Sequence, residues 1–210
     1  MKVQIDGKES NPMLVLAHGA GAGQGSSVMC HLAEALLAQG ICVARFNFEY
    51  MQSIQATGVR RPPARMSVLQ EEYRRVIEWL DRPCLIGGKS MGGRVATMMM
   101  AEGSIPHVRG GVVFGYPFHP VGKRSQLRVE HLSSVQKRVL ICQGTRDSLA
   151  FKPDIDVLSL PEHVQLHWFE HGDHDFKTLK RSGVTQQQLL QKMAAVAADF
   201  IRQESHQDQF

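Results

Sequence analysis

The chain has 210 residues, enough for one ordinary domain and too few for two sizeable ones. Apolar residues make up 43% and charged residues 21%, values of a folded globular protein, which excludes a disordered or fibrous chain. The formal net charge of +4 is too mild, and the basic residues too scattered, to support nucleic acid as a partner. No run of about 18 uninterrupted apolar residues occurs, so no ordinary membrane-spanning helix is expected. Met1 to Asn11 is polar and lacks an apolar signal segment, which points to the cytoplasm. The cysteines at 30, 42, 84 and 142 form no CxxC pair, and they are expected to be free thiols, most of them inside apolar runs.

In chain order, Val3–Ile5 is a weakly supported first strand. Met13–Ala17, Ile41–Phe46, Cys84–Ile86, Gly111–Phe114, Arg138–Cys142 and Val164–Phe169 follow as short apolar, β-branched runs that predict strands. Several are apolar throughout, as expected of a parallel sheet covered on both faces. Helical periods separate them: Val28–Gln39, Met66–Asp81 with Leu69, Tyr73, Val76, Ile77 and Leu80 on one face, Met91–Glu102, and a short piece near Pro153–Leu158. The last helix carries Leu189, Met193, Val196, Ala197 and Phe200 on one face, and Thr185 with Gln188 predicts a capping box at its start. Phe48–Arg65, with Pro62 and Pro63, has no clear period and reads as a long surface loop. The alternation predicts a three-layer α/β/α sandwich around a mostly parallel sheet, with residues 1–202 as one domain and 203–210 as a frayed polar tail.

The stretch that carries chemistry is Gly88-Lys89-Ser90-Met91-Gly92, a G-x-S-x-G between a predicted strand and a predicted helix. A serine on so tight a turn needs small neighbours two residues to either side. Its hydroxyl then projects above the sheet while the helix N-terminus aims amide N–H groups at a developing oxyanion. A phosphate-binding loop would need glycine where Pro83 stands, five residues before Gly88. Earlier, His18-Gly19-Ala20-Gly21-Ala22-Gly23 follows a predicted strand. Gln24 and Ser26 occupy the third-glycine positions, so it fails the dinucleotide fingerprint. This turn can point a backbone N–H of Ala20 or Gly21 at the oxyanion that the Met91 N–H also reaches, with His18 holding the loop.

Two further strand ends carry polar residues: Gln143-Gly144-Thr145-Arg146-Asp147, and the loop Glu170-His171-Gly172-Asp173-His174-Asp175-Phe176. Functional groups gather at the carboxyl ends of strands in such sheets, and the chain order is Ser…Asp…His. Asp147 is the expected acid, because Asp173 and Asp175 are too close in sequence to turn back onto a neighbouring imidazole. Either His171 or His174 fits the base on position alone. His171, Asp173 and His174 match part of a metal-ligand pattern whose first histidine would be Phe169, and no metal or cofactor is expected. His119, within Tyr116-Pro117-Phe118-His119-Pro120, is read as either a substrate contact or a structural residue. Arg60, Arg61 and Arg65 read as a solvated loop face.

With H-G after an early strand, G-x-S-x-G mid-chain, then G-x-x-D and a late histidine loop, the sequence resembles the α/β-hydrolase superfamily along nearly its whole length. Arg45-Phe-Asn-Phe-Glu-Tyr50, Arg60-Arg-Pro-Pro63, Gly115-Tyr-Pro117 and Arg128-x-Glu130-His131-Leu132 are similar to a small cap-less branch. That branch is allied to dienelactone hydrolases and to hydrolase-like testis-expressed and chromatin-complex proteins. The resemblance implies the base at His174, in Asp173-His-Asp-Phe176, with Ser90 as nucleophile and Asp147 orienting the base. Serine replaces the cysteine of dienelactone hydrolase, so its substrate does not carry over. The expected activity is hydrolysis of small carboxylic esters or thioesters through an acyl-enzyme, on a small-molecule acyl substrate with no nucleic-acid or membrane partner. The alternative is a hydrolase-fold scaffold with a silent site.

Overall fold

The computed structural model describes residues 2–206. Its sheet takes the order β1-β3-β2-β4-β5-β6-β7. The strands are β1 (Val3–Asp6), β2 (Met13–Ala17), β3 (Cys42–Phe46), β4 (Cys84–Lys89), β5 (Val108–Phe114), β6 (Val139–Gly144) and β7 (Val164–Phe169). Only β1 runs antiparallel, on β3, where the Asp6–Arg45 ion pair of 2.7 Å ties the two.

Side chains alternate across the pleat into two cores. Met13, Val15 and Ala17 join one cluster, and Leu14 and Leu16 the other. The first is covered by α3 (Met66–Leu80) and α4 (Met91–Ala101), through Leu69, Tyr73, Val76, Val95 and Met99. The second is covered by α1 (Ser27–Ala38) and α6 (Gln186–Ser205), through Met29, Leu32, Leu36, Met193 and Ile201. β2, β3, β4 and β6 are buried along their whole length, whereas the edge strand β7 alternates. That is why the central runs read as uniformly apolar. The three-layer α/β/α sandwich stands as expected, and the Thr185–Gln188 capping box starts α6.

Two expectations need correction. The stretch 48–65, expected as loop throughout, contains helix α2 (Glu49–Thr57), which buries only Tyr50 and Met51 and ends at Gly58 with φ +70°. So few buried positions leave no readable period. The tail expected to fray from 203 is helical through Ser205, because Glu204 is 2% exposed and pairs with Arg138 at 2.6 Å. Residues 207–210 of that tail lie outside the described residues. A short helix α5 (Lys152–Asp156) and a 3-10 turn at Glu130–Ser134 complete the connections that matter for the site. Among the described residues no helix is long and apolar enough to cross a membrane.

Candidate active site

Ser90 sits between the end of β4 and the first turn of α4, with φ +54° and ψ −115°. That backbone conformation is costly for a residue with a side chain and persists only where the surroundings force it. Here they do. The Ser90 N–H donates to the Phe114 carbonyl at 3.0 Å, and the Arg94 N–H donates to the Ser90 carbonyl at 3.1 Å. The turn also needs bare backbone at Gly92, where a Cβ would stand 2.5 Å from the Ala17 carbonyl oxygen. The small residues of G-x-S-x-G thus let α4 press against β2 and lift the hydroxyl off the end of the sheet.

The late loop delivers His174 to that hydroxyl. Its Nε2 accepts from Ser90 Oγ at 2.9 Å, and its Nδ1–H donates to Asp147 Oδ2 at 2.7 Å. Asp147, just past β6, has a fully buried side chain, whereas the His174 side chain is 26% exposed. Two further donors fix the carboxylate: Gln143 Nε2 to Oδ2 at 2.6 Å and the Leu149 N–H to Oδ1 at 2.8 Å. The histidine is therefore held in one tautomer and one orientation.

The structure separates the neighbouring candidates by what each side chain does. His171 has φ +71°, and its N–H bonds Thr145 Oγ1 while its carbonyl accepts from Arg146; it turns the loop. Asp173 Oδ1 accepts the N–H groups of Asp175 and Lys177, at 2.9 and 2.8 Å, and so builds the turn that presents His174. Asp175 faces Lys89 at 3.4 Å.

Lys89 and Gln143 are the residues that sequence reasoning missed. Lys89 is buried at the end of β4, and burial pushes its ammonium below the usual lysine value while Asp175 and Asp147 oppose that shift. The signal was a lysine inside an apolar strand end, next to a serine and opposite a loop with two flanking aspartates.

The glycine turn after β2 lies against the same serine, since a Cβ on Gly19 would stand 3.6 Å from Ser90 Cβ. It is tied down at several points. The Gln24 N–H donates to Asn47 Oδ1 at 2.7 Å, Tyr50 Oη donates to the Ala20 carbonyl at 3.0 Å, and Arg45 donates to the Gln24 carbonyl at 2.9 Å. His18 is fully buried; its Nδ1–H donates to the Gly19 carbonyl, and its Nε2 accepts the Phe48 N–H. Burial lowers its pKa, so it stays neutral and holds the loop. Ala20 and Gly21 are exposed at the tip, with open space around Gly21. Across from them, Met91 opens α4, where first-turn N–H groups have no intrahelical acceptor. His119 is 1% exposed, its N–H bonded to the Leu149 carbonyl, so it packs beneath the acid's loop. Arg60, Arg61 and Arg65 are exposed.

Residues 10–202 match the family described as the alpha/beta hydrolase domain. No curated protein matches in sequence. Among solved structures, Est1E from Butyrivibrio proteoclasticus with ferulic acid bound superposes with a TM-score of 0.71 at 13% identity, over 97% of this chain and 94% of that one. A dienelactone hydrolase from Anabaena variabilis gives 0.68 at 20% identity, over 97% and 92%. An α/β serine hydrolase without lid from Xanthomonas campestris gives 0.68 at 21%, over 96% and 88%. At these identities the likeness is one of fold.

Proposed function

The chain belongs to the alpha/beta hydrolase domain family, and from that premise we propose that it is a serine hydrolase of small carboxylic esters or thioesters. One observation carries this reading: an unbroken relay from Ser90 through His174 to a buried Asp147, set on a strained strand-to-helix turn. Ser90 Oγ attacks the substrate carbonyl carbon while its proton passes to His174 Nε2. The negative charge that forms on the carbonyl oxygen is met by the N–H of Met91 and by that of Ala20 or Gly21. Collapse of this intermediate breaks the bond to the alcohol or thiol, which leaves with the proton from His174, and Ser90 is left acylated. Water then attacks the acyl-enzyme, gives its proton to His174, and the carboxylic acid departs as Ser90 recovers its own. Asp147 takes no proton; it keeps Nδ1–H pointed inward and stabilises the imidazolium. The reaction needs no cofactor. The connection from β5 to β6 contributes only a 3-10 turn rather than a multi-helix cap, which favours short acyl chains over long lipids.

A fluorophosphonate probe tests the reading without knowledge of the natural substrate. Ser90 should be labelled in the native protein and not in Ser90→Ala or after denaturation, and Asp147→Asn should slow labelling at least about a hundredfold. A folded protein whose Ser90 stays unlabelled would instead be a hydrolase-fold scaffold.

A further inference from the structure

Near the start of α4 the fold gathers two arginines that have no carboxylate partner among the described residues. Arg94 lies one turn into α4, tied by its N–H to the Ser90 carbonyl at 3.1 Å. Tyr116 lies two residues past Phe114, whose own carbonyl takes the Ser90 N–H. The buried Tyr116 hydroxyl donates to the Arg128 carbonyl at 2.6 Å and so fixes the Arg128 backbone beside it. The Arg94 and Arg128 charges both act on that hydroxyl. They also act on each other: burial first, and the Arg94 charge second, hold Arg128 below its ordinary value.

His131, from the 3-10 turn, closes the cluster without adding charge. Its Nε2 faces Thr97 Oγ1 at 3.0 Å and Tyr116 Oη at 3.4 Å, and burial, helped by Arg94, pushes its pKa down to about 4. The Arg94 Nε is buried with no hydrogen-bond partner. Among the described residues no carboxylate stands within ion-pair distance of Arg94 or Arg128, although Arg45, Arg74, Arg124, Arg138 and Arg202 each have one. Two partly buried guanidinium groups without a counter-charge destabilise the fold unless an anion joins them, and the planar fork of a guanidinium is suited to receive a carboxylate or phosphate.

We propose that Arg94 and Arg128 form a subsite for an oxyanionic group on the substrate, so that the favoured acyl chains are short and end in a carboxylate or a phosphate-like group. This rests on the serine hydrolase reading and names its substrate class. Arg94 follows Ser90 by four residues, about 6 Å along the axis of α4, and the test uses a five-carbon acyl chain.

The test compares kcat/KM for the para-nitrophenyl monoester of glutaric acid with that for the para-nitrophenyl ester of valeric acid. The wild-type ratio should exceed about tenfold, equivalent to about 1.4 kcal/mol of binding. Arg94→Met and Arg128→Met should each bring it towards one, with Arg94→Lys retaining part of it and thermal melts reporting that each variant is folded. A phosphonobutyryl ester run alongside shows which oxyanion is preferred. A wild-type ratio near or below one for both anionic esters overturns the subsite, as does a ratio that neither methionine variant moves. If Ser90 takes no fluorophosphonate and no ester turns over, the hydrolase reading fails instead. The subsite is then decided by titrating glutarate and inorganic phosphate while following arginine Nε–H resonances: binding lost in both variants sustains it, and no binding overturns it.

Discussion

The two walls that flank Ser90 are built on opposite plans. The glycine turn 19–25 carries little charge of its own and is pinned from outside by Arg45, Asn47, Tyr50 and His18, although its Gln24 Oε1 is buried without a partner. Tyr116, Arg128 and His131, with Arg94 of α4, make a second cluster of bulky and charged side chains whose two arginines have no carboxylate partner among the described residues and whose Arg94 Nε is buried without a hydrogen bond. Charge stabilisation at the reacting oxygen needs donors that do not move, and the anchors on the first wall suit the oxyanion role proposed for it. Recognition needs groups whose partner is the ligand itself, and the two arginines of the second, without a carboxylate partner among the described residues, suit the subsite proposed for them. On the proposed serine hydrolase reading, the difference assigns rate to one cluster and selectivity to the other.

The comparison breaks most visibly where the first wall meets α4. Gly92→Ala places a methyl group 2.5 Å from the Ala17 carbonyl oxygen and 2.7 Å from that of His18. The clash should cost about 1–3 kcal/mol, lowering Tm by about 2–10 °C. By shifting Ser90 and the Met91 N–H it should also slow fluorophosphonate labelling about a hundredfold. Normal stability with normal labelling would mean that the close approach is not what sets the turn.

Asn47→Ala is the milder version. It strips the Gln24 N–H of its acceptor and frees Gln55 from Asn47 Nδ2, loosening the turn while leaving Ser90, His174 and Asp147 untouched. Esters of every chain type should lose about tenfold in kcat, with the glutaryl-to-valeryl ratio unchanged; the expected stability cost is about 1–3 kcal/mol. A change in the ratio instead of the rate would contradict the division of labour.

The smallest effect concerns the second wall. His131 titrates near 6.5 in an unfolded chain and at about 4 in the fold, so protonation favours unfolding. Its contribution is whole above about pH 6.5 and is lost as the pH falls from there through about 4. Besides Arg94, which opposes its charging, Thr97 and Tyr116 face the ring. Chemical denaturation in that window should show a steeper fall for the wild type than for His131→Gln. Equal slopes would mean that the imidazole is not held neutral by its surroundings.

Much of this molecule is legible in its residues. Apolar runs separated by helical periods give the layers, because burial on both faces of a parallel sheet leaves a mark in every few residues. Gly88, Ser90 and Gly92 give the turn, because that backbone tolerates little else around the serine. Asp147 follows from a steric argument about neighbours in sequence, and the structure puts its carboxylate on His174 Nδ1 at 2.7 Å. Helix α2 stayed hidden because only Tyr50 and Met51 of its nine residues are buried, too few to print a period.

The sequence by itself thus determined the fold class, the strand ends where chemistry gathers and the order in which serine, acid and histidine occur. All of these follow from local periodicity and turn sterics. Only the tertiary structure decided which loop residue reaches Ser90, that Asp173 is spent on the backbone of its own turn, that Lys89 is buried facing Asp175, and that the Arg94 charge acts on Arg128 across thirty-four positions. Those outcomes depend on distances between groups far apart along the chain. Coulombic and desolvation energies turn on such distances, and no pattern of neighbouring residues encodes them.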